Sequence, residues 1–456
     1  MSEHKEKNIM GYEPIGKLIM KLSLPLMASM LIQALYNIVD SIFVAMVSEE
    51  ALTAVSLAFP IQNLLIAFSI GTGVGINSYL ARKLGEKDNK TAEATAEVGL
   101  MLSIITWFVF AVLGFFCSRK FLSIYTSDEA LLSLSTSYAQ IVTVFSFGIF
   151  IDITIERIMQ ATGDSIHPMI IQMSGAITNI ILDPIFIFTF GLGVKGAAIA
   201  TVIGQCVGAA LAIYYVRKNK HIEIRIRRIR LEKRLVKEIY KVGLPTIITN
   251  AIGTFMVSAL NSILISFSST AVSVFGVYFK LQSFVFMPVF GLSSGMVPII
   301  AYNYGAKQKD RMLKTIKLGT FIALSIMIVG LLIFQLLPNV LLDLFSATEE
   351  MMRIGIPALR IISLCFVPAA ISIALGSSYQ STGVGWAAML TSILRQIVIL
   401  VPSAYILAKA TREINAVWFS FPIAEIAGLI TSIILYIYIY KTRIISLENK
   451  REEFDA

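Results

Sequence analysis

Two aspartates sit where an apolar sequence has least use for them, and each has polar neighbours at helical spacing. In LIQALYNIVD (31–40), Gln33, Tyr36, Asn37 and Asp40 follow one another at steps that put them on one face of a helix. In TNIILDPIFIF (178–188), Asn179 and Asp183 lie four residues apart and stack on one face. Pro184 follows at once; inside a helix it removes a backbone hydrogen bond and leaves a carbonyl free, which in a membrane must find a partner or a cation. Thr201 and Gln205, one turn apart, add further oxygens. Carboxylates, amide oxygens and a hydroxyl suit a hard monovalent cation, so sodium at Asp40, Asn179, Asp183 and Thr201 is one reading. The same desolvated aspartates can carry a proton instead. The bland alternative for each is a polar contact within the protein, and for Thr201 a bond to its own helix backbone.

Two further sets carry charge. Asp152, Glu156 and Gln160 recur at four-residue steps with Arg157 adjacent, which reads as a substrate or proton entry surface or as an ion-paired helix end. Glu156 is the strongest member. Lys280, Arg395 and Glu425 fall in apolar stretches of the second half, where mutual pairing would make them tolerable. Other signals carry less. Cys117, Cys206 and Cys365 are scattered, and His4, His167 and His221 lie far apart, so neither a disulfide framework nor a metal cluster is expected. GLGVKG (191–196) has dinucleotide-loop spacing but follows no strand of a βαβ unit, so no cofactor is expected.

The elements that must hold these residues are long apolar helices. Of 456 residues, 56% are hydrophobic and only 15% charged, with a mean hydropathy of +0.77. Soluble domains carry about 25% charged residues, and a run of about 18 or more apolar residues spans a bilayer. The chain reads as an all-α polytopic membrane protein. About twelve spans are expected, at 17–47, 52–81, 92–116, 131–159, 168–190, 195–216, 237–266, 271–302, 313–338, 351–378, 386–408 and 415–440. The polar start MSEHKEKNIMGYEPIGK shows no small-residue cleavage site before the first span, which is therefore expected to stay.

Charge sets the orientation. RKNKHIEIRIRRIRLEKRLVK (217–237), ARKLGEKDNK (81–90), GAKQKDRMLK (305–314) and the tail after Tyr440 are rich in Lys and Arg, whereas the connections near 117–130, 190–195 and 339–350 are poorer. The positive-inside rule makes the basic side cytoplasmic and places both termini there. This asymmetry accounts for much of the net charge of +9, so nucleic acid is not an expected partner. Counting from near residue 168, Asp183 lies about 22 Å along its helix, in the outer half of the bilayer, as does Asp40.

A repeat organises the spans. LPL (24–26) returns as LPT (244–246), QNLLIAFSIGTGVG (62–75) as QSFVFMPVFGLSSG (282–295), Gly85 as Gly305, and QATGD (160–164) as QSTGV (380–384). The shift is about 220 residues throughout, which implies two six-helix bundles inserted in the same direction around a central cleft. The expected division is 1–216, a basic linker 217–236, 237–440 and a tail 441–456. The acidic pair has no counterpart in the second half, because Arg395 and Ile399 stand at the repeat positions of Gly175 and Asn179.

With these motifs together, the chain resembles the multidrug and toxic compound extrusion (MATE) family over about residues 12–440. LPL, the Asp40 position, GINSYLARKLGEKD, QATGDSIHP, TNIILDPIFIF and GVKGAAIAT carry the resemblance, which is closest to the bacterial branch with an acidic cation site in the N-terminal lobe. It implies that Asp40, Asn179, Asp183 and Thr201 form that site, that Glu156 matches an acidic position used by members, and that Pro25 matches the first-helix proline at which some members bend. It implies a plasma-membrane antiporter that exports cationic amphipathic molecules against protons or sodium, with no other cofactor. Gln33, Tyr36, Asn37, Glu156, Gln205, Lys280 and Glu425 are the substrate-contact candidates. The lipid bilayer is the expected surrounding and a monomer the expected state. A flippase for lipid-linked oligosaccharides or lipids would want a strongly cationic cavity, of which Lys280 and Arg395 offer a modest version; for a membrane-embedded lipid transferase, no Ser-His, His-metal or clustered-carboxylate motif is expected to face either surface.

Overall fold

The computed structural model describes residues 8–219, 222–224, 231–345 and 347–445, and of Glu49 the backbone alone. His4, His221, residues 220–221 and 225–230 of the basic linker, and the tail beyond 445 lie outside the described residues. The helices are α1 (Ile15–Ala45), α2 (Glu49–Gly85), α3 (Asn89–Leu122), α4 (Glu129–Val144), α5 (Phe147–Ala161), α6 (Ile166–Pro184), α7 (Val194–Val216), α8 (Lys233–Leu264), α9 (Ser269–Gly305), α10 (Lys309–Leu336), α11 (Pro338–Asp343), α12 (Glu349–Ser363), α13 (Phe366–Ser381), α14 (Gly385–Ile393), α15 (Val401–Thr411), α16 (Ile414–Trp418) and α17 (Ser420–Ile439). Among the described residues, ten helical stretches are long and apolar enough to cross a bilayer, and twelve when the bent pairs α4–α5 and α12–α13 each count as one span. The exterior is apolar to a degree that water would not tolerate, with Phe116, Leu336, Phe321 and Phe108 all more than half exposed.

Two spans expected as single helices are in fact broken. α4 and α5 meet at 45°, and so do α12 and α13, at the corresponding place one repeat later. The breaks fall at Phe145–Ser146 and Leu364–Cys365; Gly148 stands two residues past the first, and Pro368, three past the second, has no N–H to offer the Leu364 carbonyl. α1 runs unbroken through Pro25.

The repeat is legible in the backbone itself. Ser48 caps α2 by accepting from the Ala51 amide, and Ser268 caps α9 by accepting from Ala271, both with extended backbone. Lys87 and Lys307 adopt left-handed φ of 60° and 54°, and Gly163 and Gly383 take φ of 91° and 76°. Each pair lies one repeat apart, so the two halves share turn geometry as well as helix order.

The halves meet through glycines on the basic face. A Cβ on Gly85 would lie 2.0 Å from the Tyr302 carbonyl oxygen, and one on Gly305 would lie 2.1 Å from that of Arg82. Tyr302 and Arg82 are themselves repeat mates, so α2 and α9 cross on the pseudo-twofold axis with backbones touching. One step further in, Gly71 abuts Gly243 and Ile247 of α8, while Gly291 abuts Leu26 and Met27 of α1. Small residues let membrane helices approach in this way and gain dispersion contact where lipid offers no hydrophobic drive. Polar contacts reinforce the closure: Ser23 Oγ donates to the Leu292 carbonyl at 3.3 Å, and Ser78 Oγ donates to that of Gln380. The short turn Ile9–Gly11 lies across both halves on this face. Asn8 Nδ2 donates to the Thr162 carbonyl at 3.0 Å, while Arg311 Nη2 donates to the carbonyls of Met10 and Glu13 at 3.0 and 2.8 Å. Towards the opposite face the inner helices are largely exposed, and one polar contact between α2 and α8 reaches further out, Asn63 Nδ2 donating to Thr254 Oγ1. The cleft is thus sealed at the basic face and opens away from it.

Overpacking a closed contact typically costs about 1–3 kcal/mol, up to about a hundredfold in a two-state population. Gly85→Ala or Gly305→Ala should therefore bias the molecule towards opening at the basic face. A cysteine introduced at the buried Ser78, in a background without the native cysteines, is expected to alkylate at least tenfold faster with Gly85→Ala than without it. Equal rates would show that this crossing does not hold the face shut.

Candidate cation and ligand site

Asp40 reaches the site from α1 and Asp183 from the end of α6, and the two carboxyl groups come within hydrogen-bonding reach of each other. Asp183 is fully buried and Asp40 half-buried. Asn179 Nδ2 donates to Asp183 Oδ1 at 3.4 Å and to Thr201 Oγ1 of α7 at 3.3 Å. Tyr36, one turn before Asp40, lies within hydrogen-bonding reach of Thr201. Five residues singled out in the sequence, from three helices, therefore form one cluster.

Local sequence explains how the cluster assembles. Gly175 and Gly204 face each other, and an added Cβ would stand 3.1 Å from Gly204 O and 2.7 Å from Gly175 O respectively. That approach draws α6 against α7 and sets Asn179 beside Thr201. Directly after Asp183–Pro184 the chain runs through a π-helical turn, Ile185–Thr189, the local rearrangement that a proline without an N–H favours.

Three oxygens of the cluster are buried and have no hydrogen-bond partner: Asp40 Oδ1, Asn179 Oδ1 and Asp183 Oδ2. Buried acceptors are ordinarily satisfied, so such a group asks for an occupant. Two unit charges roughly 4 Å apart repel by about 4 kcal/mol at an effective dielectric near 20. Two touching carboxylates thus need a proton or a cation between them. The donor set, two carboxylates with an amide oxygen and a hydroxyl, fits either. Among the described residues there is no group of three or more His, Cys, Asp and Glu side chains of the sort that holds a transition metal.

A cavity of about 140 Å³ adjoins the cluster. Gln33, Tyr36, Asn37, Glu156, Asn179, Thr201 and Gln205 all line it, with Asp40 and Asp183 set behind the tyrosine, asparagine and threonine. Asp152 and Glu156 close its other end, where Asp152 Oδ1, Glu156 Oε1 and Gln205 Oε1 also lack partners. The stripe on α5 divides: Arg157 turns away from the cavity and donates from Nη1 to Gln160 Oε1 at 3.0 Å, beside Asn77 at the boundary between the halves. Sequence reasoning missed Gln62, Gln172 and Tyr138. Gln172 lies on the face that continues through Ala176, Asn179 and Asp183, so its signal was present; Tyr138 is a buried tyrosine whose hydroxyl reaches Gln62.

In the second half, Arg395 Nη1 donates to both oxygens of Glu425, at 2.8 and 2.9 Å. The expectation that Lys280 shares this pairing is corrected. Lys280 is exposed, points outward with its ammonium 5.9 Å from the Phe345 ring centre, and does not line the cavity that Arg395 and Glu425 share. Its long stem lets it reach the rim instead.

Comparison with known proteins agrees with this architecture. The sequence model of the MatE family matches residues 25–185 and again 245–406, two matches about 220 residues apart that coincide with the repeat. The multidrug export protein MepA of Staphylococcus haemolyticus is 28% identical over 437 residues, covering 95% of this chain and 96% of that protein. MepA of Staphylococcus aureus strain MSSA476 is 26% identical over 438 residues, with the same coverage. Among solved structures, the outward-facing conformation of a multidrug resistance MATE family transporter of the MOP superfamily aligns with a TM-score of 0.92 at 26% identity, over 98% of this chain and 100% of that one. A MOP superfamily transporter from Pyrococcus furiosus, whose pocket of reversed polarity was taken to suggest a different function, aligns with a TM-score of 0.91 at 26% identity over 98% and 100%. With both halves matched in register, the chain belongs to the MatE family.

Proposed function

We propose that this protein is an antiporter of the plasma membrane that exports cationic amphipathic molecules in exchange for protons or sodium by alternating access. The observation that carries this reading is the contact between Asp40 and Asp183 with three unpartnered oxygens around it, beside a cavity in the half of the bundle nearest to them. The relatives' names, multidrug export and multidrug resistance, support the substrate class. The basic face is taken as cytoplasmic, with both termini on it, so the cleft opens outward.

In this state a proton or sodium ion enters from outside and settles between Asp40 and Asp183. Its charge removes the repulsion between the carboxylates and draws α1 towards α6, with Tyr36 moving on Thr201 and Asn179. A cationic ligand held near Asp152, Glu156 and Gln205 then loses the negative field that retained it and leaves outward. For this to drive export, the ion must bind the two conformations unequally. The glycine crossings at Gly85 and Gly305 confine the change to an opening or closing of the basic face, because backbones in contact cannot slide by small increments. Lys280 standing apart from Arg395 leaves the second-half cavity one guanidinium already paired with a carboxylate, which gives a flippase for lipid-linked pyrophosphates no support.

Asp40→Asn and Asp183→Asn are each expected to lower gradient-driven export of a fluorescent cationic dye from cells at least tenfold, with membrane expression unchanged. Export at the normal rate in both variants would remove the coupling site. In proteoliposomes, pH and sodium gradients imposed separately identify the ion: the effective gradient should lose its action with either variant. Thr201→Ala removes one neutral ligand and should weaken a sodium requirement by about threefold to tenfold in half-saturating concentration, while leaving a proton-driven process within about twofold. The sodium dependence of initial rates distinguishes the two.

A further inference from the structure

The C-terminal half encloses a larger cavity, of about 270 Å³, whose chemistry differs from that of the aspartate site. Its walls are aromatic and thioether: Tyr278, Phe279, Phe286, Met287 and Phe421. Its polar floor is Arg395, which stands at the start of a π-helical segment, Leu394–Leu400, and is held to Glu425 of α17. Gly428, one turn beyond Glu425, leaves room for the arginine stem, since an added Cβ would lie 3.0 Å from Arg395 Cδ.

The pair is asymmetric. Both Glu425 oxygens accept from the single nitrogen Nη1, and the carboxylate is buried. The arginine side chain is 29% exposed, and its Nε and Nη2 make no hydrogen bond among the described residues. The cavity therefore presents spare donors on a planar guanidinium and a carboxylate already engaged. The Tyr278 hydroxyl, also lining the cavity, is buried, with the weakly accepting Cys365 sulfur the group within its hydrogen-bonding reach. A guanidinium edge of this kind matches a carboxylate in shape and charge. A purely cationic ligand would have to draw Glu425 off Arg395 and leave a buried charge unpaired.

We propose that this cavity is a second ligand site, which holds an aromatic zwitterion with its carboxylate on Arg395 and its delocalised positive ring system against Tyr278, Phe286 and Phe421. A net-neutral ligand adds no uncompensated charge to a membrane interior, and the ring faces attract the cationic part of the ligand. Methionines give the wall tolerance of shape. The inference deepens the export reading and rests on it, but it concerns equilibrium binding in the C-terminal half, without any gradient.

The test uses rhodamine B, an aromatic zwitterion with a free carboxylate, and its ethyl ester, the same ring system without the negative charge. Fluorescence anisotropy with the purified full-length protein in detergent gives both dissociation constants. The wild-type protein is expected to bind the acid at least fivefold more tightly than the ester. Arg395→Gln should lower the ratio of acid to ester affinity at least tenfold. Because that variant strands Glu425, the double variant Arg395→Gln/Glu425→Gln, which removes both charges, is measured beside it and should show the same loss of preference. A wild-type preference for the ester, or a ratio unmoved in either folded variant, overturns the proposal. Asp40→Asn, which abolishes export if the coupling site is correctly assigned, should keep the ratio, so failure of one reading is read separately from failure of the other.

Discussion

Hydrocarbon offers no water to a charge or to a lone pair, so every ionisable group inside a bundle of membrane helices must be neutralised by the protein or by something the protein binds. The two halves of this molecule answer that constraint in opposite ways. In the C-terminal half the carboxylate is supplied with its own cation, because Arg395 occupies the position where the first half has Gly175. In the N-terminal half, among the described residues, no basic side chain enters the cluster: Asp40 and Asp183 meet each other beside the uncharged Asn179, Thr201, Tyr36 and Tyr138. That deficit is what the proposed coupling ion would make good.

The same constraint explains why the helices pack as they do. With lipid tails as apolar as leucine, helices gain by close approach, and close approach requires small residues. The crossings at Gly71, Gly85, Gly291 and Gly305 place backbone on backbone between the halves, and Gly175 with Gly204 does so within the first half. The first set joins two bodies along a pseudo-twofold axis and can come apart as a unit. The second fixes Asn179 on Thr201 and travels with its half. A rigid cluster on a body that rocks is the mechanical form that the proposed alternating access would demand, and the placement of glycine is consistent with it.

Much of this was legible in the sequence. The helical spacing of Gln33, Tyr36, Asn37 and Asp40, and of Asn179 and Asp183, survives in the structure because membrane helices seldom depart from their period, so residues on one face stay on one face. The shift of about 220 residues was visible as LPL and LPT and as Gly85 and Gly305, and the structure extends it to caps and to left-handed turns at Lys87 and Lys307. The illegible parts share a cause. The breaks between α4 and α5 and between α12 and α13 sit in long apolar runs, and only the second has a nearby proline, Pro368, so hydropathy alone does not announce them. The isolation of Lys280 depends on side-chain direction, which a single residue in an apolar run does not announce. Gln172 was within reach of the same periodicity that found Asn179.

The division of charge also bears on how one bundle handles chemically different molecules. An antiporter whose ligand and coupling ion compete for the same carboxylates can carry only cations, since nothing else gains from those carboxylates. A second cavity built around a guanidinium and aromatic rings lies in the other half, and it faces the same cleft because the repeat places both cavities at matching depth. In the proposed antiport, emptying or filling the aspartate cluster would move one half against the other, and so change the mouth shared by both cavities without altering the contacts inside the second. Coupling would then be exerted through the position of the halves, not through direct competition at a charge, and a ligand need not be a cation to be expelled. The repeat supplies the shared axis, and the loss of sequence identity between its two copies supplies the difference in chemistry between the two cavities.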